Sequence, residues 1–98
     1  RRDANESMIV LALRAVGATV QQLNETGTPD LLVGYQGQTH LIECKNPEQP
    51  ADGKGRTRRG KLRPAQVTWI ASWQGSKVHE VVNADEALVA IGALRSVA

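Results

Sequence analysis

Two short apolar runs separated by a two-residue turn constrain this chain more than any other part of its sequence. Leu31 to Tyr35 and Thr39 to Cys44 are rich in residues that favour strands, and Gln36-Gly37 between them is typical of a tight hairpin turn. The pattern therefore predicts a β-hairpin. The register of such a hairpin decides which side chains share a face of the sheet, because a slip of one residue moves each of them to the other face.

Charged residues stand at the open end of this hairpin. If the loop has two residues, Tyr35 pairs with Gln38, and the same register places Asp30 directly across from Glu43. Opposed side chains on one face are about 5 Å apart at Cβ, so two carboxylates there repel each other unless a divalent cation bridges them. Lys45 projects from the face of Glu43, roughly 7 Å further along the strand. Two acids and a lysine on one face are what a metal-dependent phosphodiesterase requires.

Two alternatives remain open for these charges. A three-residue loop would send Asp30 to the opposite face, whereas a four-residue loop would keep the predicted register. In the other alternative, Asp30 only ends a turn after Pro29, and Glu43 and Lys45 form a solvated pair on an edge strand.

Three blocks of sequence carry a resemblance to a nuclease family. They are Gly27 to Leu31 (GTPDL), Ile42 to Pro47 (IECKNP) and Pro64 to Ile70 (PAQVTWI). In this order they resemble the virus-type replication–repair nuclease (VRR-NUC) domain of the PD-(D/E)XK superfamily, and the similarity extends from Glu6 to about Leu94. The resemblance implies one domain over residues 1–98 with a restriction-endonuclease-like α/β fold. In that fold, elements in the order αβββαβα form a small mixed sheet flanked by helices.

A metal site is expected where these blocks meet. Mg²⁺ or Mn²⁺ held by carboxylates suits phosphodiester hydrolysis, because a hard cation acidifies water and neutralises phosphate charge. Asp30 and Glu43 are the expected direct ligands, with the backbone carbonyl of Cys44 beside them. The thiol of Cys44 is expected to point to the other face and to pack there. The resemblance adds Glu6 as a third or water-mediated ligand, although a first-turn glutamate is also favoured by the helix dipole alone.

Two further side chains are expected to act in catalysis. Lys45 would position the attacking water or stabilise the developing charge. The resemblance makes Gln66 an active-site amide that orients water or phosphate, while the alternative is a glutamine that caps its own helix.

Charge is unevenly distributed along the chain. The formal net charge is +2, but six basic residues with no acid among them fall within ten positions, so the remaining residues sum to −4. Such a segment favours a local contact with a polyanion, here DNA, although a solvated linker has the same composition. The six residues of this basic segment are Lys54, Arg56, Arg58, Arg59, Lys61 and Arg63.

Helical and strand periodicities predict the remaining elements. Helices are expected at Asp3 to Val16, at Ala65 to Trp73 with Pro64 in its first position, and after a capping Asn83; further strands are expected at Thr19 to Leu23 and Lys77 to Val82. The helical stripes place Val16 and Leu94 on buried faces. With no Phe and only 3% aromatic residues, the core is expected to rest on aliphatic side chains plus Trp69 and Trp73, although the helical spacing of the tryptophans also suits an interface. Residues 46–62 are expected to form an irregular connector.

The sequence thus predicts a metal-dependent, structure-specific DNA endonuclease. The resemblance implies a homodimer that cuts branched DNA such as Holliday junctions. The alternative is a DNA-binding module of the same fold whose metal site is idle. A single cysteine fits the reducing cytoplasm, no apolar run approaches the roughly 20 residues that span a bilayer, and no organic cofactor or membrane partner is expected.

Overall fold

The chain is organised around the hairpin that its sequence predicts. The computed structural model describes residues 5–46, 49–50, 57–58 and 63–95. In chain order the elements are α1 (Glu6–Ala15), β1 (Thr19–Gln22), β2 (Leu31–Tyr35), β3 (Gln38–Cys44), β4 (Gln49–Pro50), β5 (Thr57–Arg58), α2 (Pro64–Ser72), β6 (Val78–Val81) and α3 (Ala84–Ala90).

The turn between β2 and β3 has two residues, and the predicted register is confirmed. Gln36 and Gly37 both have positive φ angles, of 48° and 79°, as a tight turn that matches strand twist requires. Tyr35 pairs with Gln38 and Leu31 with Ile42. Leu31 and Ile42 are both fully buried, and each would lose roughly 1.5–3 kcal/mol of burial if a one-residue slip exposed it. Burial on one face therefore holds the register that the turn sets.

The main sheet has four strands in the order β1-β2-β3-β6. Strands β1, β2 and β3 are antiparallel neighbours, and β6 joins the edge of β3 in parallel. The fold is therefore α/β with a small mixed sheet flanked by helices, as predicted. The order αβββαβα also holds for the main elements, and β4 and β5 form an additional two-stranded pair within residues 46–62, where an irregular connector was expected.

The core lies between one face of the sheet and the helices α1 and α3. Ile9 and Leu13 of α1 are fully buried against Leu31, Val33 and other inward residues of the strands. Helix α1 ends where Gly17, at a φ of 93°, reverses the chain. Glycine suits this position because a side chain there would strain the backbone.

Three predictions about burial are wrong. Val16 and Leu94 are exposed because α1 and α3 end before they reach them. The two tryptophans also lie outside the core: Trp73 is 42% exposed, and its ring stacks on that of Trp69 with the centroids 4.8 Å apart. Helix α2, which contains Trp69, buries none of its residues.

Candidate active site

Glu6 lies in the first turn of α1 with its side chain directed towards the sheet. It is only 1% exposed, as expected from its place on the apolar stripe of the helix. Nε2 of Gln22 donates a hydrogen bond of 2.8 Å to Oε2 of Glu6 and so fixes the carboxylate against the end of β1. Gln22 was not predicted as a site residue. Its signal was strand alternation, because it shares the inward face with Val20, which is buried.

Asp30 stands immediately before β2, after a fully buried Pro29. Its Oδ2 accepts a hydrogen bond of 2.8 Å from the backbone N–H of Cys44, which ties the two strand ends together. Ligand atoms of Glu6, Asp30 and Cys44 all lie within 4.8 Å of one another, and this trio is called the O,O,S cluster below. Two carboxylates this close favour a cation between them.

The sequence led us to expect that the thiol of Cys44 points away from Asp30, and this expectation is wrong. Strand alternation does turn Cys44 away from Glu43, but Asp30 precedes the first paired residue of β2, and its side chain approaches the sulfur. The fully buried Sγ therefore belongs to the O,O,S cluster. The role of the Cys44 backbone carbonyl as a metal ligand stays a prediction.

Glu43 lies outside the O,O,S cluster and belongs to a second set of polar side chains. Nε2 of Gln66 donates a short hydrogen bond to Oε2 of Glu43, and Nζ of Lys45 lies 3.8 Å from the same oxygen. Lys45 also donates to Oε1 of Gln66 at 3.4 Å. Glu43 and Lys45 are only 2% and 7% exposed, so they do not form the solvated pair of the alternative interpretation.

Gln66 combines the two roles that the sequence left open. Its Oε1 accepts the backbone N–H of Arg63 at 2.8 Å, as a capping glutamine does at the third helical position. Its amide nitrogen reaches Glu43 at the same time. One side chain therefore joins the start of α2 to the end of β3.

Asn5 connects α1 to the ends of two strands at this site, and it was not predicted as a site residue. Its Nδ2 donates to the carbonyl of Lys45 at 2.8 Å and to that of Val82 at 2.7 Å. Asn5 is the N-cap of α1 and directly precedes Glu6, so this amide connects three elements at the site. A cap residue next to a candidate ligand was the only hint that the sequence offered.

A cleft with a volume of about 210 Å³ opens beside Asp30. The turn of residues 23–28 lines one wall, and Arg63, Ala65 and Gln66 of the α2 start line the other. Gly27 packs closely against the carbonyl of Ala65 at a φ of 89°, so the two walls are in contact at this glycine. The cleft gives solvent a route to the Asp30 end of the site.

Of the six predicted DNA-contacting residues, only Arg63 is described with its side chain, which is exposed at the mouth of the cleft. The structure gives Arg58 as part of β5, without its side chain. Lys54, Arg56, Arg59 and Lys61 lie outside the described residues.

The donor set fits a divalent cation. Carboxylates from two elements converge at the end of the sheet, and hard cations such as Mg²⁺ and Mn²⁺ are bound by carboxylates. Lys45 and Gln66 stand nearby with donors for an anionic group. Among the helices of the described ranges, none has the length and apolarity to span a bilayer.

Comparison of the chain with protein-family models, with curated proteins and with solved structures finds no match in any of the three. The inferences about function therefore depend on the residues and the geometry described above.

Proposed function

We propose that this protein is a Mg²⁺- or Mn²⁺-dependent DNA endonuclease of the VRR-NUC type, with a PD-(D/E)XK fold. The observation that supports it most is the convergence of five polar side chains at one end of the sheet. Asp30 lies in the O,O,S cluster with Glu6, while Glu43, Lys45 and Gln66 contact one another beside them. Such a set of acids, lysine and amide is what hydrolysis of a phosphodiester by a cation-assisted mechanism needs.

Each residue has a distinct role in this proposal. Asp30 and Glu6 hold the metal, with Glu43 and the Cys44 carbonyl as further ligands. When bound, the cation acidifies water and neutralises phosphate charge. Lys45 directs its ammonium towards the phosphate or the attacking water, and Gln66 holds both Lys45 and Glu43 in position.

The proposed substrate is branched DNA, which the exposed basic residues would contact through phosphates. Arg63 stands at the cleft beside Gln66, and it is the last residue of the basic segment. Contacts from arginine and lysine to phosphate position a protein on DNA without reading its sequence. Structure-specific cutting is consistent with this type of contact.

A cleavage assay on matched linear, flap and four-way DNAs tests the proposal. Wild type should nick the branched substrates with Mg²⁺ or Mn²⁺ and not with a chelator. Loss of a residue that only hydrogen-bonds a metal ligand typically lowers metal affinity or activity 10–100-fold, so removal of a ligand itself in Asp30→Asn should lower the cleavage rate by at least about 100-fold. Asp85→Asn is the matched control, because Asp85 is an exposed acid at the start of α3 and is not one of the proposed site residues.

Lys45→Ala separates catalysis from metal binding. It should keep Mn²⁺ binding in calorimetry and lose most of the cleavage rate, because its proposed contribution is made in the transition state. Cleavage at the wild-type rate by Asp30→Asn would remove the proposed site.

The alternative function is a DNA-binding module without catalysis. It is favoured by the contacts of Glu43, whose Oε2 is engaged by both Gln66 and Lys45 within the protein. Branched DNA that is bound but never nicked, with either metal, would establish this alternative.

The proposed assembly is a homodimer, which would present two sites to a four-way junction. Helix α2 supports it, because it buries none of its residues, and Val67 within it and Trp73 directly after it are 51% and 42% exposed. Analytical ultracentrifugation should give a dimer at micromolar concentration and a shift towards monomer for Val67→Lys. A wild-type monomer that still cleaves junctions would contradict this assembly.

A further inference from the structure

The sulfur of Cys44 is the unexpected member of the O,O,S cluster. Sγ lies within 4.8 Å of carboxylate oxygens from both Glu6 and Asp30, and these three residues come from three different parts of the fold. In a tetrahedral site with bonds of about 2.0–2.3 Å the ligand atoms lie about 3.3–3.8 Å apart, so side-chain movements of about 1 Å would bring the three donors to the spacing of a ligand set.

The donors of the cluster are held in place by contacts within the protein. Glu6 is 1% exposed, and a buried carboxylate needs hydrogen bonds, an opposite charge or a metal beside it. Gln22 fixes its orientation, and the backbone N–H of Cys44 fixes that of Asp30. Asp30 lines the cleft, which gives an ion a route to the otherwise buried donors.

The sulfur changes which metals this site prefers. Mg²⁺ takes oxygen ligands, whereas a cysteine sulfur selects softer ions such as Zn²⁺, Cd²⁺ and Co²⁺. Three protein ligands with an open fourth position are also the usual arrangement of a zinc site that binds a further molecule. We infer that Cys44 Sγ is a metal ligand, so that zinc-class ions bind through Glu6, Asp30 and sulfur and compete with the activating cation.

The competition rests on the proposed nuclease function, but the ligand assignment does not. If cleavage requires Mg²⁺ or Mn²⁺ held mainly by oxygens, a tightly bound zinc-class ion at the same carboxylates makes the enzyme sensitive to inhibition by zinc. The interpretation that opposes it is a cysteine that only packs, since Cys44 also belongs to the hydrophobic core.

Titration of the full chain with Co²⁺, followed by absorption spectroscopy, tests the sulfur directly. Cys44 is the only cysteine in the sequence, so a sulfur-to-cobalt charge-transfer band in the near ultraviolet can come from no other residue. We expect this band in wild type, saturating at one ion per chain, and its loss in Cys44→Ser. Both proteins keep the backbone carbonyl of residue 44, so the comparison separates the sulfur from the carbonyl.

Cd²⁺ affinity gives a second readout. Loss of a residue that hydrogen-bonds a metal ligand lowers metal affinity 10–100-fold, so loss of the sulfur itself should weaken Cd²⁺ binding by at least about 100-fold, with Mg²⁺ binding changed much less. Glu6→Gln should weaken Cd²⁺ binding as well. If Cys44→Ser fails to fold, the wild-type cobalt spectrum decides the question alone.

The outcomes distinguish this inference from the proposed function. A wild-type protein that cleaves DNA with Mg²⁺ but binds Co²⁺ without the charge-transfer band overturns the sulfur ligand and leaves the nuclease intact. A band without any cleavage supports the sulfur ligand and contradicts the nuclease. Absence of Co²⁺ binding overturns the inference as well.

Discussion

Gln66 connects the first turn of α2 with the acidic end of β3, and its two contacts can be separated by substitution. Gln66→Ala removes the acceptor for the Arg63 N–H and the donor to Glu43. Loss of the cap should lower the free energy of unfolding by about 1 kcal/mol. The cleavage rate should fall as well, because Lys45 and Glu43 lose the amide that holds them.

Gln66→Glu is the matched variant, because glutamate serves the capping role equally well but has no N–H to donate. It should restore the cap but recover only part of the stability in urea unfolding, because its carboxylate faces that of Glu43, and it should cleave more slowly than wild type. If Gln66→Glu were to cleave at the wild-type rate, the contact with Glu43 would have no part in catalysis, and Gln66 would be a capping residue only.

His79 gives the stability of the protein a pH dependence. Burial lowers its pKa below the ordinary value of 6.5, with smaller contributions from Lys77 and His40, whose ring centroid lies 6.3 Å away. The folded protein therefore binds this proton less tightly than the unfolded chain. The free energy of unfolding should fall as the pH drops through 6.5 and level off only below the folded-state pKa.

Urea unfolding between about pH 7.5 and about pH 5.5 measures this effect, because histidine is the side chain that titrates there. Wild type should lose stability across this range, and His79→Gln should lose less. Lys77→Gln should give an intermediate slope, since it removes one of the lesser causes. Equal slopes for wild type and His79→Gln would show that another group is responsible.

Gly27 joins the turn before β2 to the start of α2, and Gly17 provides its control. The two glycines have nearly the same backbone angle, with φ of 89° and 93°. A Cβ at Gly27 would lie 3.0 Å from the Ala65 carbonyl oxygen, whereas one at Gly17 meets nothing within 4 Å. Alanine at either position should cost about 1–2 kcal/mol for the left-handed backbone.

Gly27→Ala should cost more than Gly17→Ala, because the turn and α2 must also move apart. That movement displaces Gln66, so Gly27→Ala alone should slow DNA cleavage. Thermal unfolding and single-turnover rates of the two variants check both parts. Equal stability and equal rates would mean that the contact between Gly27 and Ala65 does not position Gln66 for catalysis.

The hairpin and its register could be predicted because local chemistry determines both. Gln36-Gly37 selects the two-residue turn, and the burial of Leu31 and Ile42 forbids a slip. Helix α2 could be located through Pro64 at its first position, but not its packing. The spacing of its apolar residues shows only that one face of the helix is more apolar than the other. Whether another part of the protein covers that face depends on the tertiary structure, which the spacing does not determine.

The candidate site was predicted in its members more than in its arrangement. Glu43 and Lys45 follow strand alternation, so their proximity could be read from spacing. Asp30 stands just outside β2, where alternation no longer fixes the side chain, and its approach to the Cys44 sulfur could not be foreseen. Asn5 acts through contacts to residues 45 and 82, which are distant in sequence and are brought together only by the fold.

Across the whole chain, charge is divided between an acidic remainder and the basic segment from Lys54 to Arg63. Removing these six positive charges from a net charge of +2 leaves −4 for all other residues. A uniformly basic protein would bind DNA over much of its surface, whereas this distribution confines attraction to one region. On DNA, each phosphate that a protein neutralises releases counterions and adds about 0.9 to the salt slope of binding.

We therefore predict that the basic segment supplies the electrostatic part of DNA binding. Replacement of Arg56, Arg58, Arg59 and Lys61 by Ser should lower the salt slope by roughly three units, if three or four of these residues contact phosphates. The loss should be similar for all DNA sequences, because phosphate contacts carry no sequence information. Fluorescence anisotropy at a series of salt concentrations measures the slope, and calorimetry with Mn²⁺ should show unchanged metal affinity, since Asp30 and Glu6 are retained. Substitution of Lys77 and Arg95 by Ser, two exposed basic residues outside the segment, is the control and should change the slope less. An unchanged slope in the four-residue variant would mean that the segment is a solvated linker and that DNA binds to another surface.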